Sequence, residues 1–167
     1  KEENTLVDIG TGAGFPGLVL KIIFPNLKVT LVDSLNKRIQ FLNIVIENLG
    51  LKNITTVHAW AEEFAKLHRE EFDIVTARTV AFLPTLMEYC IPLAKVGKYF
   101  IPVKANIKEE LEEAKNAMKL LDVEVKEKIE FFLPIENSKR TIIKFEKKKK
   151  TNQKFPRKFS EIKKKTL

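Results

Sequence analysis

Short apolar runs alternate with helical patterns along most of the chain. Each apolar run is bounded by polar or turn-forming residues, as buried strands are, and the runs cover residues 5–9, 28–32, 54–57, 72–77 and 99–103. Between them, apolar side chains recur on one helical face, most clearly over residues 36–49 and 108–121. Strict alternation of strand and helix predicts parallel strands joined by helical crossovers. We therefore expect an open α/β sheet with helices on both faces.

The pattern changes after residue 121. Residues 123–132 and 141–145 are two consecutive strand-like segments, and the link between them is rich in turn-forming residues and has no helical pattern. This ending predicts an antiparallel hairpin that completes a mostly parallel seven-stranded sheet. Pro102 lacks a backbone N–H, so we expect the fifth strand to be short or bulged there.

The composition is that of one globular domain, with 167 residues of which 44% are hydrophobic and 31% charged. No apolar run reaches the roughly 18 residues that a membrane-spanning helix needs. We therefore expect a cytoplasmic protein without a membrane anchor. The single cysteine, Cys90, and the two histidines make neither a disulfide framework nor a zinc-binding pattern, and we expect no metal. We interpret Cys90 as a core thiol.

The net charge of +8 is concentrated at one end of the chain. Residues 1–146 carry a net charge of −1, whereas residues 147–167 carry +9. We therefore divide the chain into a folded domain, 1–146, and a basic C-terminal tail, 147–167, which we expect to be flexible. Such a tail attracts the phosphate backbone of a nucleic acid, although a solvated tail without a partner would have the same composition.

The most informative segment is a strand that runs directly into a glycine-rich turn. Its residues are spaced as Asp8-x-Gly10-x-Gly12-x-Gly14. Glycines there allow the backbone to approach a ligand, and the N–H groups of the following helix point at it. Asp33 lies nineteen residues after Gly14, at the end of the second predicted strand, where a carboxylate can accept hydrogen bonds from ribose hydroxyls. This arrangement predicts a nucleotide-type cofactor site, with simple tight packing of the turn as the alternative.

The turn favours one class of cofactor. In a dinucleotide-binding fingerprint the third glycine would fall at Phe15, which is bulky, and a phosphate-binding P-loop would need Gly-Lys-Ser/Thr after the glycines. Asp8 would repel a pyrophosphate, whereas it suits a positively charged amino acid or sulfonium. These features indicate S-adenosyl-L-methionine, and a nicotinamide-dependent dehydrogenase is the less favoured alternative.

Four segments together resemble a known family. They are residues 8–17 (DIGTGAGFPG), 32–38 (VDSLNKR), 61–64 (AEEF) and 72–78 (FDIVTAR). These segments are similar to the bacterial 16S rRNA guanine-N7 methyltransferases, the RsmG family, formerly called glucose-inhibited division protein B. The resemblance implies a Rossmann-like, class I S-adenosylmethionine-dependent methyltransferase fold. It also implies methylation of N7 of one guanosine in 16S rRNA, either free or in a precursor of the small ribosomal subunit.

The resemblance assigns roles to individual residues as well. It implies cofactor contacts from Gly10, Phe15, Ala61, Glu62 and Arg78. Arg78 follows the fourth predicted strand, where its guanidinium could position the cofactor or the guanine edge. We expect no general base, because N7 of guanine has a free lone pair and loses no proton before it attacks the methyl.

Candidate RNA contacts lie at the sheet edge and in the C-terminal tail. The cations that we expect to contact RNA are Lys104, Lys154, Arg157 and Lys158. The last three belong to a Lys-Phe-Pro-Arg-Lys segment that is similar to a tail motif of the family. Phe155 and Phe159 stand among these cations and could stack on bases.

Two further interpretations of the function stay open. In one, the same chemistry acts on another RNA; in the other, a methyltransferase-like fold binds RNA without catalysis. The family carries a helical segment before its first strand, whereas the glycine turn here begins at residue 10, so we expect a truncated or incomplete chain. We expect a monomer, because the mostly neutral body offers no obvious apolar stripe for a partner.

Overall fold

The computed structural model describes residues 4–78, 81–104 and 107–167, and within them seven strands form one sheet. The strands are β1 Thr5–Ile9, β2 Lys28–Asp33, β3 Ile54–His58, β4 Phe72–Arg78, β5 Ala94–Lys104, β6 Val123–Phe132 and β7 Lys139–Lys147. Their order across the sheet is β3-β2-β1-β4-β5-β7-β6. The first five strands are parallel, and β7 pairs antiparallel with both β5 and β6. The predicted parallel sheet with a C-terminal antiparallel hairpin is confirmed.

Helices follow the strands as the alternating pattern predicts. They are α1 Gly17–Ile23, α2 Asn36–Asn48, α3 Ala61–Leu67, α4 Leu83–Cys90, α5 Ile107–Glu113, α6 Lys115–Leu120 and α7 Phe159–Lys164. The single helix predicted over residues 108–121 is divided into α5 and α6 at Ala114, where the backbone has a φ of −79° and a ψ of −4°. No helix within the described ranges is both long and apolar enough to cross a bilayer.

The two faces of the sheet carry separate apolar cores. Leu6 faces Leu18 of α1 and Leu42 of α2, whereas its neighbour Val7 belongs to the larger core under α3 to α6. Successive side chains of a strand point to opposite faces, so the uniformly apolar β1 can pack on both sides. The helices therefore lie on both faces of the sheet, as predicted.

Pro102 lies inside β5, which is eleven residues long rather than short. The β5–β7 pairs flank it, with Phe100 opposite Phe145 and Val103 opposite Ile142, and the register irregularity of β5 lies earlier, against β4 between Phe72 and Ile74. The missing N–H of Pro102 is thus accommodated by a gap in the β5–β7 pairing, and the expectation of a strand shortened or bulged at this proline is wrong.

The C-terminal tail packs against the domain, in contrast to the flexible tail expected from its charge. Phe155 and Ile162 are 2% and 3% exposed and belong to the larger core. Lys147 ends β7 with its ammonium buried, where it donates to the carbonyl of Ala94 at 2.8 Å, and burial lowers its pKa to about 8. Two apolar side chains among ten cations therefore decide the conformation of this segment.

Candidate active site

The carboxyl ends of β1, β2, β3 and β4 meet at one edge of the sheet because these strands are parallel. The glycine turn between β1 and α1 lies at this edge, and Gly12 and Gly14 both have positive φ angles, of 61° and 97°. A Cβ on Gly12 would enter open space, whereas one on Gly14 would lie 2.7 Å from the Cβ of Leu18. Gly12 therefore faces the open side of the turn, and Gly14 allows close packing of the turn on α1.

Asp8 fastens the two ends of the glycine turn. It is fully buried, and its Oδ2 accepts hydrogen bonds from the Thr11 hydroxyl at 2.7 Å and from the Gly17 N–H at 2.9 Å. Burial raises the pKa of Asp8 to about 6, against the lowering effect of these two hydrogen bonds. Its Oδ1 has no hydrogen-bond partner among the described residues. An orphaned carboxylate oxygen under the turn fits a donor or cationic group of a bound molecule.

The raised pKa of Asp8 gives a first testable prediction. The carboxyl titrates near 3.8 when unfolded and near 6 when folded, so stability falls as pH rises from about 4 to about 6 and stays lower above that. Asp8→Asn keeps an acceptor for Thr11 and Gly17 but cannot ionise. Urea unfolding at pH 4 and pH 7 is expected to show that, between these two pH values, the original chain loses about 2 kcal/mol more stability than this variant. Parallel pH profiles for the two proteins would contradict the prediction.

Asp33 ends β2 and joins three backbone segments. Its Oδ2 accepts from the Gly12 N–H at 2.9 Å and from Arg38 at 3.3 Å, and its Oδ1 accepts from the Leu35 N–H at 2.9 Å. The N-cap residue of α2 is Leu35, and the Asp33 carboxylate accepts from its N–H. A carboxylate has about four acceptor positions, so Asp33 retains capacity for a ligand.

An apolar cavity of about 370 Å³ opens at the ends of the first three strands. The predicted residues that line it are Gly10, Asp33, Ala61 and Glu62. Other walls come from Trp60, before α3, and from residues of α4 and α7. A concave and mostly apolar space with a few carboxylates suits a flat heteroaromatic group that carries hydroxyls.

A second, polar cavity of about 540 Å³ lies beside the apolar cavity. Gly10, Asp33 and Ser34 line both, and Arg78 at the end of β4 lines only the polar one. The guanidinium of Arg78 lies 5.7 Å from the centroid of the Phe15 ring. Phe15 thus supports Arg78 by a cation–π contact, and the two cavities together bring most of the predicted cofactor residues to one edge of the sheet.

Two of the expected RNA contacts are engaged inside the protein. Lys104 is buried, and its ammonium donates to the Ala81 carbonyl at 2.8 Å and to the carboxylate of Glu110. Arg157 forms a two-pronged ion pair with Glu88 in α4. Contact of these two side chains with RNA stays a prediction, and charge and position in the sequence do not reveal that each has an internal acceptor.

The remaining tail candidates differ in exposure. Lys154 and Lys158 are exposed, so both remain candidates for phosphate contact. Phe155 is buried and is not available for stacking on a base, whereas Phe159 is half-exposed.

Several residues of the site carry no signal in the sequence. The apolar cavity is also lined by Thr85 and Tyr89 of α4, by Phe159, Ile162 and Lys163 of α7, and by Thr166 after α7. Burial raises the pKa of Tyr89 to about 12, and burial also raises the pKa of the Cys90 thiol well above its ordinary value. Cys90 is the core thiol that the sequence indicates. Within the described residues, no group of three or more His, Cys, Asp or Glu side chains is placed to bind a metal.

Comparison with known proteins identifies close relatives. The family model described as rRNA small subunit methyltransferase G, GidB, matches residues 1–142. A curated protein of Acetivibrio thermocellus named ribosomal RNA small subunit methyltransferase G is 52% identical over 161 residues, which cover 95% of this chain and 66% of the relative. One of Alkaliphilus metalliredigens with the same name is 48% identical over 161 residues, covering 95% of this chain and 67% of the relative. The chain thus spans about two thirds of the length of these relatives.

Solved structures of methyltransferases have a similar fold. An rRNA methylase from Streptococcus thermophilus has a TM-score of 0.65 at 17% identity, with 89% of each chain covered. A SAM-dependent O-methyltransferase from Thermotoga maritima has a TM-score of 0.65 at 17% identity, covering 91% of this chain and 62% of that one. The fold is that of class I S-adenosylmethionine-dependent methyltransferases. Because the family model matches residues 1–142, the chain belongs to the family of rRNA small subunit methyltransferase G.

Proposed function

We propose that the chain transfers a methyl group from S-adenosylmethionine to N7 of a guanosine in 16S rRNA. The observation that carries the proposal is the convergence of Gly12, Asp33, Glu62 and Arg78 on two adjoining cavities at the carboxyl edge of the sheet. The names of the curated relatives supply the acceptor, the small-subunit rRNA. We infer that the protein acts in the cytoplasm as a monomer, on 16S rRNA or a precursor of the small subunit.

The residues at the two cavities fit the proposed cofactor. The apolar cavity suits an adenine ring, and the carboxylates of Asp33 and Glu62 can accept hydrogen bonds from its ribose and base. Arg78 lines the polar cavity beside the glycine turn and suits the carboxylate of its amino acid portion, and the unpartnered Oδ1 of Asp8 lies under that turn. When bound, the cofactor supplies an electrophilic methyl on a sulfonium.

The acceptor chemistry agrees with the groups that the site offers. N7 of guanine attacks through a free lone pair, so the reaction needs no base to remove a proton. Tyr89 stays a neutral phenol near neutral pH because its pKa is about 12, and the buried Cys90 stays protonated. Neither group therefore offers an ionised oxygen or sulfur near neutral pH. The protein is therefore expected to act by holding the two reactants in line and excluding water, which is worth up to roughly 7 to 11 kcal/mol.

Transfer of a labelled methyl tests this proposal. Ribosomal RNA from bacteria whose 16S rRNA lacks 7-methylguanosine is incubated with the chain and labelled S-adenosylmethionine, and the RNA is then digested to nucleosides. We expect the label in 7-methylguanosine. The Acetivibrio thermocellus relative, run at its full length, is the positive control. Label in any other nucleoside, or transfer by the relative without transfer by this chain, would contradict the proposal.

A further inference from the structure

The C-terminal tail forms a wall of the apolar cavity. Helix α7 contributes Phe159 and Ile162 to the lining, and the end of β2 and the start of α3 contribute Asp33 and Glu62 to the same space. Ile162 is also part of the larger core, so α7 is held against the domain rather than lying free over the opening. The cavity therefore has its present shape only while the tail is docked.

An internal ion pair fixes the position of the tail. Glu88 in α4 is fully buried, and its Oε1 accepts from the Arg157 N–H at 2.9 Å and from Nε at 2.8 Å, while its Oε2 accepts from Nη2 at 2.7 Å. The same Nη2 donates to the carbonyl of Lys165 at 3.0 Å. Arg157, just before α7, is thus bound to the buried Glu88 carboxylate and also to the carbonyl of Lys165, just after α7.

A second set of contacts holds the start of the tail. The guanidinium of Arg69 donates to the carbonyl of Thr151 at 2.7 Å and to that of Phe155 at 2.6 Å. Phe155 is itself buried in the larger core. Displacing the tail would expose apolar surface and leave a buried carboxylate without its partner, so one docked position is strongly favoured.

The ion pair is connected to the cavity through α4. Glu88 holds Arg157, and its neighbours in the same helix, Thr85 and Tyr89, line the apolar cavity. A shift of the tail would therefore change two walls of the apolar cavity. It would move α7 directly, and it would act on α4 through Glu88.

We propose that the C-terminal tail is part of the cofactor-binding site, with α7 as an apolar wall for the adenosine portion and Glu88–Arg157 as the pair that positions it. This inference rests on the proposed function, because it assigns S-adenosylmethionine to the apolar cavity. Phe159 supplies apolar contact to the bound purine. Glu88 and Arg157 are positioning residues, which act on the ligand through the placement of α7.

Trp60 gives a direct readout of binding, because it is the one tryptophan of the chain and lines the cavity. We would titrate S-adenosylhomocysteine into the full chain and follow Trp60 fluorescence, with calorimetry as a second measure. Phe159→Ala is expected to raise the Kd about tenfold. The matched control is Phe132→Ala, since Phe132 is 61% exposed, comparable to 53% for Phe159, and lies on the edge strand β6. Equal affinity of Phe159→Ala and the original chain would overturn the inference.

The positioning pair is tested with a variant that preserves charge. Arg157→Lys keeps a cation beside Glu88 but loses the two-pronged contact, and we expect the Kd to rise about threefold in the folded protein. Arg140→Lys is the control, because Arg140 makes a peripheral pair with Glu136 at 3.9 Å and a bond to the carbonyl of its neighbour Lys139. A merely structural role would lower the melting temperature of Arg157→Lys without changing its Kd, and that result would overturn the positioning role.

The outcome also separates this inference from the proposed function. If the original chain binds the ligand and both tail variants bind it equally well, the inference fails and the proposed function stands. If the original chain does not bind it at all, both fail.

Discussion

Arg78→Lys is expected to lower the kcat/KM of methyl transfer about 100-fold while the chain remains folded. Arg78 is exposed at the end of β4, lines the polar cavity, and lies over the Phe15 ring at 5.7 Å. Its planar fork of donors can hold a carboxylate or a guanine edge in one orientation, whereas an ammonium binds as a point charge without fixing direction. Steady-state rates with S-adenosylmethionine and unmethylated 16S rRNA measure the loss.

The same variant distinguishes the two groups that Arg78 could hold. A rise in the Kd of S-adenosylhomocysteine would indicate the cofactor carboxylate, and a rise in the KM for RNA at unchanged cofactor affinity would indicate the guanine. Arg140→Lys, on β7 and outside both cavities, serves as the control. Full activity of Arg78→Lys would show that Arg78 orients neither reactant.

Arg157→Met is expected to destabilise the protein by about 3 to 5 kcal/mol, because it leaves the Glu88 carboxylate buried and unpaired. The double variant Glu88→Gln with Arg157→Met should recover much of this loss, since an amide is far less costly to bury than a carboxylate. Arg140→Met removes an exposed ion pair and should cost less than about 1 kcal/mol. Urea unfolding of the original chain, of the single variants Arg157→Met and Glu88→Gln, of their double variant and of Arg140→Met gives the free energies.

Additivity of the two single changes would contradict this account of the pair. If Arg157→Met were as mild as Arg140→Met, the tail would not depend on Glu88 for its docking. A loss in Arg157→Met that the double variant does not recover would mean that the cost arises from packing rather than from the unpaired charge.

The fold could be predicted because its signals are local. The runs predicted for β1 to β4 match the observed strands within one residue. For β1, β2 and β4 the reason is that parallel strands inside a sheet covered on both faces read as nearly continuous apolar segments. The site could be predicted for the same reason, because the carboxyl ends of parallel strands bring the glycine turn, Asp33 and Arg78 to one edge without further information.

The contacts that the sequence did not reveal join residues far apart in the chain. Glu88 and Arg157 are 69 positions apart, and both look like ordinary surface charges until the fold brings them together. Lys104 and Glu110 are only six positions apart, yet their contact depends on where α5 lies relative to the end of β5. In the tail, the dense positive charge concealed the two apolar side chains, Phe155 and Ile162, that dock it.

The two carboxylates of the site, Asp33 and Asp8, connect its backbone segments to one another. Asp33 joins the glycine turn to the start of α2 through Gly12 and Leu35, and Asp8 closes the turn from below through Thr11. Because these carboxylates are held by backbone N–H groups and a hydroxyl, the turn has its binding shape before a ligand arrives. Such preorganisation lowers the cost of ordering on binding.

The central claim, methylation of N7 of a guanosine in 16S rRNA, is tested most directly by mapping the modified position. Methylation at N7 makes the glycosidic bond labile after borohydride reduction, so aniline then cuts the RNA chain at that nucleotide. Unmethylated ribosomal RNA treated with the chain and S-adenosylmethionine is expected to be cut at one guanosine of 16S rRNA, with no cut when Arg78→Ala replaces the original chain. Cuts in another RNA, cuts spread over many guanosines, or a single cut that survives Arg78→Ala would contradict the account.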